Sequence, residues 1–207
     1  MKNNVDLPNF LIEKKLLDKN YKTIAGIDEV GRGTLAGPVF ACAAILPCEV
    51  PTVKKNLIND SKKLSAKKRI ESYEWLKDWC IDYAIGSSSA EEIDIHGIVY
   101  SVKQAMIRAV NNLSIKPDHL IIDALKLEKL NIDQTSIPKA DEKSESVASA
   151  SILAKVSRDN LMIKLHEKYS DYDFISNKGY GTKNHLLALK KNGPCKIHRK
   201  TFAGVND

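Results

Sequence analysis

The run Pro38 to Leu46, reading PVFACAAIL, restricts the fold more than any other feature of the chain. It is nearly continuous in apolar residues, follows the glycine-rich stretch Gly31 to Gly37, and reads as a buried strand. On the other side of that turn Thr23 to Val30 reads as a strand as well, and the two are expected to pair as a hairpin. Ser65 to Trp79 has helical spacing behind a serine cap. Ile81 to Ser87 reads as a third strand, a helix from about Ile98 to Leu113 stops at Lys116-Pro117, and His119 to Asp123 is a short apolar strand ending on a carboxylate. The first twenty residues read as a short amphipathic helix built on Phe10, Leu11, Leu16 and Leu17 and ending around Asn20. This alternation of strands and helices predicts an α/β fold, a mixed sheet with helices packed against it.

The strongest helix is Ser144 to Tyr169. Ala148, Ile152, Val156 and Ile163 fall on one stripe of its wheel, and Ala148, Ala150, Ser151 and Ala154 keep its first turns thin enough to lie close to a sheet. Asp159 falls within that apolar stripe, where an unpaired charge is costly, so a partner is expected.

At 207 residues, 43% hydrophobic and 28% charged, the chain suits one soluble domain spanning residues 1–207, with a core large enough to need no staple. No apolar run approaches the ~20 residues of a membrane helix, and the first residues lack a secretory signal, so a cytoplasmic location is expected. Cys42, Cys48, Cys80 and Cys195 include no C-x-x-C pair, which argues against a zinc site or a disulfide framework. The net charge is +6, and from Lys178 to Ala203 there are seven Lys or Arg residues and no acid. That segment (about 178–203), comprising Lys178, Lys183, Lys190, Lys191, Lys196, Arg199 and Lys200, is expected to form a phosphate-binding surface.

Acidic residues end or follow the predicted strands and loops: Asp28-Glu29, Asp123, and Asp141 just ahead of the long helix. In α/β folds ligands gather at that edge of the sheet. Carboxylates without nearby cysteine or suitably spaced histidine favour Mg²⁺ or Mn²⁺ and phosphoryl transfer. Scattered surface acids are the alternative. Neighbours in a regular strand face opposite sides, so Asp28 and Glu29 share a site only where the strand ends or bulges. Gly31-Arg32-Gly33-Thr34-Leu35-Ala36 also matches the G-x-G-x-x-A dinucleotide fingerprint, but that fingerprint must open a helix, whereas here a strand follows. Its backbone N–H groups suit a sugar or phosphate equally well. Asp60-Ser61-Lys62-Lys63-Leu64 reads locally as a solvated loop. Tyr180, between Gly179 and Gly181 in a lysine-rich segment, reads either as a ring that stacks on a sugar or base or as a half-buried turn residue. His185 reads as a helix-surface residue and His198 as a loop residue.

Together the motifs GIDEVGRGTLAGPV, DSKKLS, LIIDALKL, KADEKSESVASASILAKVSRD, KGYGTKNHLLAL and GPCKIHRKTF, from about Ile24 to Phe202, resemble the ribonuclease HII family. The resemblance implies a ribonuclease H-like fold with a mixed five-stranded sheet and a helical C-terminal part. It implies a metal site of Asp28, Glu29, Asp123 and Asp141 holding Mn²⁺ or Mg²⁺ ions, two of them with substrate. Gly31, Arg32, Gly33 and Tyr180 would recognise the ribonucleotide junction, and Ser61, Lys62 and Lys183 would add substrate contacts.

The implied reaction is hydrolysis of the RNA strand of RNA/DNA hybrids and cleavage 5′ of single ribonucleotides in duplex DNA. The implied uses are ribonucleotide excision repair and primer removal. Family members often carry histidine where Asn177 stands and glycine where Ala140 stands; the first departure is expected to touch nucleic-acid contacts, the second the backbone beside a metal ligand. The residues Gly204 to Asp207 show no clear motif for docking a replication clamp, and a monomer is expected. The alternatives are a ribonuclease HIII-like hybrid nuclease, which carries a substantial N-terminal domain, and a catalytically inactive nucleic-acid-binding module, which would lack one or more of the acids.

Overall fold

The structure is a computed structural model that describes residues 7–206; the first six residues of the expected N-terminal helix and Asp207 lie outside the described residues. A five-stranded sheet has the order β3-β2-β1-β4-β5, where β1 is Ile24–Val30, β2 Val39–Ile45, β3 Asp82–Ser88, β4 His119–Asp123 and β5 Asp133–Ile137. β1, β2 and β3 are antiparallel neighbours, while β4 lies parallel to β1 and β5 parallel to β4. The expected hairpin is therefore present, with Ile27 opposite Ala43. A strand, not a helix, follows the glycine turn, which removes the dinucleotide reading.

Side-chain alternation along β2 sorts the core. Val39, Ala41, Ala43 and Ile45 join Ala25 and Ile27 of β1 under α4 (Ile98–Asn111), through its Val102, Ala105 and Met106. Cys42 and Ala44 face the other way, onto Ala148, Ile152 and Leu153 of α5 (Glu145–Lys168), with α2 (Ala66–Trp79) alongside. The thin start of α5 does what its alanines and serines predict. At Gly26 of β1 a Cβ would lie 2.3 Å from the Ser146 carbonyl carbon and 2.4 Å from the Val147 nitrogen, so the helix backbone rests directly on the strand.

The N-terminus of α5 is fixed from outside the sheet by α1 (Leu11–Leu17). Glu13 is buried there, and its Oε1 accepts hydrogen bonds from Ser144 Oγ (2.5 Å), Ser146 N (3.0 Å) and Ser146 Oγ (2.6 Å), placing a carboxylate at the positive end of the helix. Three shorter helices, α3 (Ala90–His96), α6 (Phe174–Asn177) and α7 (Lys183–Asn192), complete the described chain, and the last two form its helical C-terminal part. No helix among the described residues is long and apolar enough to cross a membrane.

Of the pattern expected on the long helix, one residue departs and one is met. Ile163 is exposed: the residues of α5 that pack with the β2 side chains Cys42 and Ala44 end at Ala154, two turns before it. Asp159 has the expected partner, Lys155 Nζ at 2.8 Å one helical turn away.

Candidate active site

The ladder between β1 and β4 stops at Ile27 and Ile122, whereas that between β1 and β2 runs on to Val30 and Phe40. Asp28 and Glu29 therefore border an open edge beside Asp123, the last residue of β4. This is how neighbours on one strand come to serve one site. Asp28 is buried on the α5 side, where Ser151 hydrogen-bonds its carboxylate and Ser151 Oγ stands 3.0 Å from Ser61 Oγ. Its Oδ1 also accepts the Glu29 N–H at 2.8 Å. Asp123 Oδ1 accepts the Ala140 N–H at 3.1 Å, tying β4 to the 3₁₀ turn Ala140–Glu142 that carries Asp141. The left-handed residue is Lys139 (φ 57°), not Ala140, so alanine fits where glycine is usual in the family.

These acids burden one another. Burial first, then the charges of Glu29 and Asp141, push the Asp28 carboxyl well above the usual carboxylate range. Burial and Asp123 raise Glu29 against the pull of Arg32 and Lys62, and burial, Asp60 and Asp123 raise Asp141. Burial works against the ammonium of Lys62, but Asp60, Asp28, Asp141 and Glu29 outweigh it and hold Lys62 above the usual lysine range. Arg32 Nη1 lies only 4.0 Å from Glu29 Oε1. A cluster of hard oxygen donors short of positive charge fits divalent cations of the Mg²⁺ or Mn²⁺ type by donor chemistry and by charge. It is not a finished cage: among the described residues no three His, Cys, Asp or Glu side chains already stand as a ready set of metal ligands.

A cleft of about 310 Å³ runs from Asp28 and Glu29 past Ser61 and Lys62 to Tyr180, with Gly31, Arg32 and Gly33 forming part of its wall. Tyr180 is 38% exposed and follows two left-handed residues, Lys178 (φ 52°) and Gly179 (φ 86°). Gly179 carries the tyrosine to the loop: its carbonyl accepts the N–H groups of Leu35 (2.8 Å) and Ala36 (3.3 Å). Lys155 Nζ lies 5.4 Å from the centre of the Tyr180 ring.

Beneath the loop are two fully buried arginines. Arg158 of α5 donates to the carbonyls of Pro38, Lys178 and Ala36 and to Thr34 Oγ1. Arg199 donates through Nε to the Gly37 carbonyl (3.1 Å), through Nη1 to that of Arg32 (3.0 Å) and through Nη2 to that of Gly31 (2.7 Å).

The profile of the ribonuclease HII family matches residues 25–205. The chain belongs to the ribonuclease HII family. Among its relatives is the ribonuclease HII of Desulfitobacterium hafniense, 50% identical over 195 residues, which are 93% of this chain and 73% of that protein. The crystal structure of ribonuclease H2 from Pyrococcus horikoshii superposes with a TM-score of 0.73 at 28% identity, covering 89% of this chain and 95% of that one. The ribonuclease HII of Archaeoglobus fulgidus, solved in a complex with PCNA, gives 0.69 at 28% identity over 82% and 88%. The fold is accordingly ribonuclease H-like.

Against the ribonuclease HII motifs, the structure brings Asp28, Glu29, Asp123 and Asp141 to one sheet edge and sets Gly31–Gly33, Ser61, Lys62 and Tyr180 around the same cleft. Lys183 stands apart, exposed in the first turn of α7 and not among the residues lining that cleft. Arg199 corrects the expected basic surface: it is fully buried beneath the loop, because three backbone carbonyls need its fork more than a phosphate could.

His185 is corrected too, from the helix surface to the interior, while His198 does lie in a loop, a buried one. His185 and His198 are both buried with their Nε2 atoms 3.0 Å apart. The Cys195 N–H donates to His198 Nδ1 (2.9 Å), and the Tyr180 carbonyl can only accept from His185 Nδ1 (2.8 Å), so in the neutral pair His198 Nε2–H donates to His185. Burial, then His185, push His198 down to about 4, which keeps it neutral. Asn177 is no surface contact either: it is buried, donates to the Tyr172 carbonyl (2.6 Å) and accepts the Gly179 N–H (2.7 Å), shaping the turn before Tyr180.

Sequence patterning alone does not mark Arg158, Ser151 and Asp60 as parts of the site. The one signal it holds is scarcity: five of the 32 basic residues are arginines, and in this structure three of the five, Arg69, Arg158 and Arg199, spread their donors over backbone carbonyls, while Arg108 pairs with Glu92 and Arg32 stands exposed at the cleft.

Proposed function

We propose that this chain, an endoribonuclease of the ribonuclease H kind, hydrolyses the RNA strand of RNA/DNA hybrids and cuts duplex DNA on the 5′ side of an embedded ribonucleotide, leaving a 3′-hydroxyl and a 5′-phosphate. The observation that carries this reading is the adjacency, within one cleft, of a mutually repelling carboxylate group and a glycine loop facing an exposed tyrosine. Asp28, Glu29, Asp123 and Asp141 would hold the divalent ions, Mn²⁺ or Mg²⁺. When bound, such ions activate water and neutralise charge on the phosphate.

The chain's own residues do the rest. Only the 2′-hydroxyl marks a ribonucleotide in DNA, so the discriminating groups must reach the sugar. The backbone of Gly31–Gly33 offers N–H donors there, and the Tyr180 ring offers a face on which a sugar or base can rest. Lys62 and Arg32 line the same cleft and would meet the scissile phosphate, and the exposed lysines of residues 178–203 would supply a sequence-independent grip on the backbone. In a cytoplasm this activity removes misincorporated ribonucleotides and RNA primers.

End-labelled duplex DNA with one ribonucleotide tests the proposal. Cleavage on its 5′ side is expected with Mn²⁺ or Mg²⁺ and not with chelator; a cut only within long hybrids removes the junction reading, and no cut in either substrate removes the nuclease. On the same substrate Tyr180→Ala is expected to lower kcat/KM roughly tenfold or more, the worth of one stacking interaction, with Tyr180→Phe close to the parent. Equal rates for Tyr180→Ala and the parent would take Tyr180 out of the site.

A further inference from the structure

We propose that Arg199 is a positioning residue for ribonucleotide recognition: its buried guanidinium turns the carbonyls of Gly31 and Arg32 inward and thereby presents the N–H groups of Arg32 and Gly33 to the cleft. The inference rests on the junction-recognition reading above and says what enforces it.

A peptide unit is planar and trans, so its N–H points opposite to its carbonyl. The Gly31 carbonyl is held at 2.7 Å and the Arg32 carbonyl at 3.0 Å by the two terminal nitrogens of one rigid fork. The N–H groups of those same two peptide units belong to Arg32 and Gly33, and they leave on the opposite side. Neither has an acceptor within the described chain. Where Gly33 lies, a Cβ would meet nothing within 4 Å, so that face is open.

The third donor of the fork fixes Gly37 at 3.1 Å, and Arg158 holds the other half of the loop at Thr34, Ala36 and Pro38. The loop is thus braced at both ends from below. Neither arginine is in an ion pair among the described residues, so their charge falls on peptide carbonyls. That polarises the peptides and strengthens their outward N–H donors. Burial, then the neighbouring Arg158, bring Arg199 down to about 9, which leaves it charged at neutral pH. A lysine at this place keeps a positive charge but cannot satisfy three carbonyls in a fixed plane.

The test compares the affinity for duplex DNA carrying one ribonucleotide with that for the all-deoxy duplex of the same sequence, in chelator so that nothing is cut. For Arg199→Lys the ratio of the two affinities is expected to fall roughly tenfold, about one hydrogen bond, while binding to the all-deoxy duplex stays as in the parent. An unchanged ratio, or a parallel loss on both duplexes as a merely structural role would give, overturns the proposal. A parent ratio of one overturns it together with the junction reading, and is recognised because no substitution is involved. Should Arg199→Lys not fold, amide exchange in the parent decides: Arg32 and Gly33 are expected to be protected by the ribonucleotide duplex and not by the all-deoxy duplex, and equal protection by both overturns the assignment.

Discussion

Asp28→Asn is expected to abolish cleavage, lowering kcat by roughly 10³-fold or more, while affinity for an RNA/DNA hybrid in chelator changes little. The substitution preserves shape and can keep the hydrogen bond with Ser151, so what it removes is one negative charge from the buried centre of the cluster. Single-turnover rates with Mn²⁺ and with Mg²⁺, beside a binding titration in chelator, are the measurements; retained turnover would end the assignment of Asp28 to the metal site.

The same variant carries a stability signature of the opposite sign. The folded-state pKa of Asp28 is raised by burial and by Glu29 and Asp141, so in the window between the unfolded and folded values the native chain binds the extra proton and stability falls as pH rises. At neutral pH the carboxylate is a cost to the folded chain. Asp28→Asn is therefore expected to melt above the parent in chelator and below it in excess divalent ion, which stabilises only a chain able to bind it. Melting curves that keep one order in both conditions would contradict this.

The two outer glycines of the loop are expected to separate fold from function. Gly31 is left-handed (φ +88°), and a Cβ there would lie 2.3 Å from Nε of Arg158, whose guanidinium is held by four acceptors and cannot retreat. Gly31→Ala should cost about 2–4 kcal/mol in urea unfolding, left-handed strain and overpacking together. Gly33 has neither constraint, so Gly33→Ala should leave unfolding within about 0.5 kcal/mol of the parent. Its methyl group would stand on the face where the sugar approaches and push the scissile bond out of line, so cleavage at a single ribonucleotide should fall by roughly tenfold or more. Loss of stability in Gly33→Ala, or full activity, would show that Gly33 does not face the substrate.

What could be read from the sequence follows from what makes a pattern. The hairpin of β1 and β2 announces itself because both strands are covered by helices and punctuated by glycine, and α5 because its small residues repeat on one stripe. The carboxylates could be suspected because strand ends are where α/β folds bind ligands. β5, reading DQTSI, is a polar edge strand placed by its backbone ladder with β4 and by the side-chain bonds of His119 Nε2 with Thr135 Oγ1 (2.8 Å) and Tyr21 with Asp133 (2.6 Å), and no hydrophobic period marks it. Residue patterning alone locates four strands, and the fifth is expected only from the family resemblance. Arg199 is misplaced by patterning for a related reason: charge along a chain reports composition, and only the fold reveals that this cation is enclosed by carbonyls of a loop near the other end of the sequence.

That enclosure also sets when the glycine loop can be braced during synthesis of the chain. Gly31 and Arg199 are separated by 168 residues, and Thr34, Ala36 and Pro38 of the same loop are held by Arg158. Chains emerge from the ribosome N-terminus first, at about 5–20 residues per second. The loop and the acids of β1 are thus made early but stay without their brace until Arg199 emerges, seconds later. A nascent chain next to messenger and ribosomal RNA thus carries these acidic residues before the loop beside them has its brace.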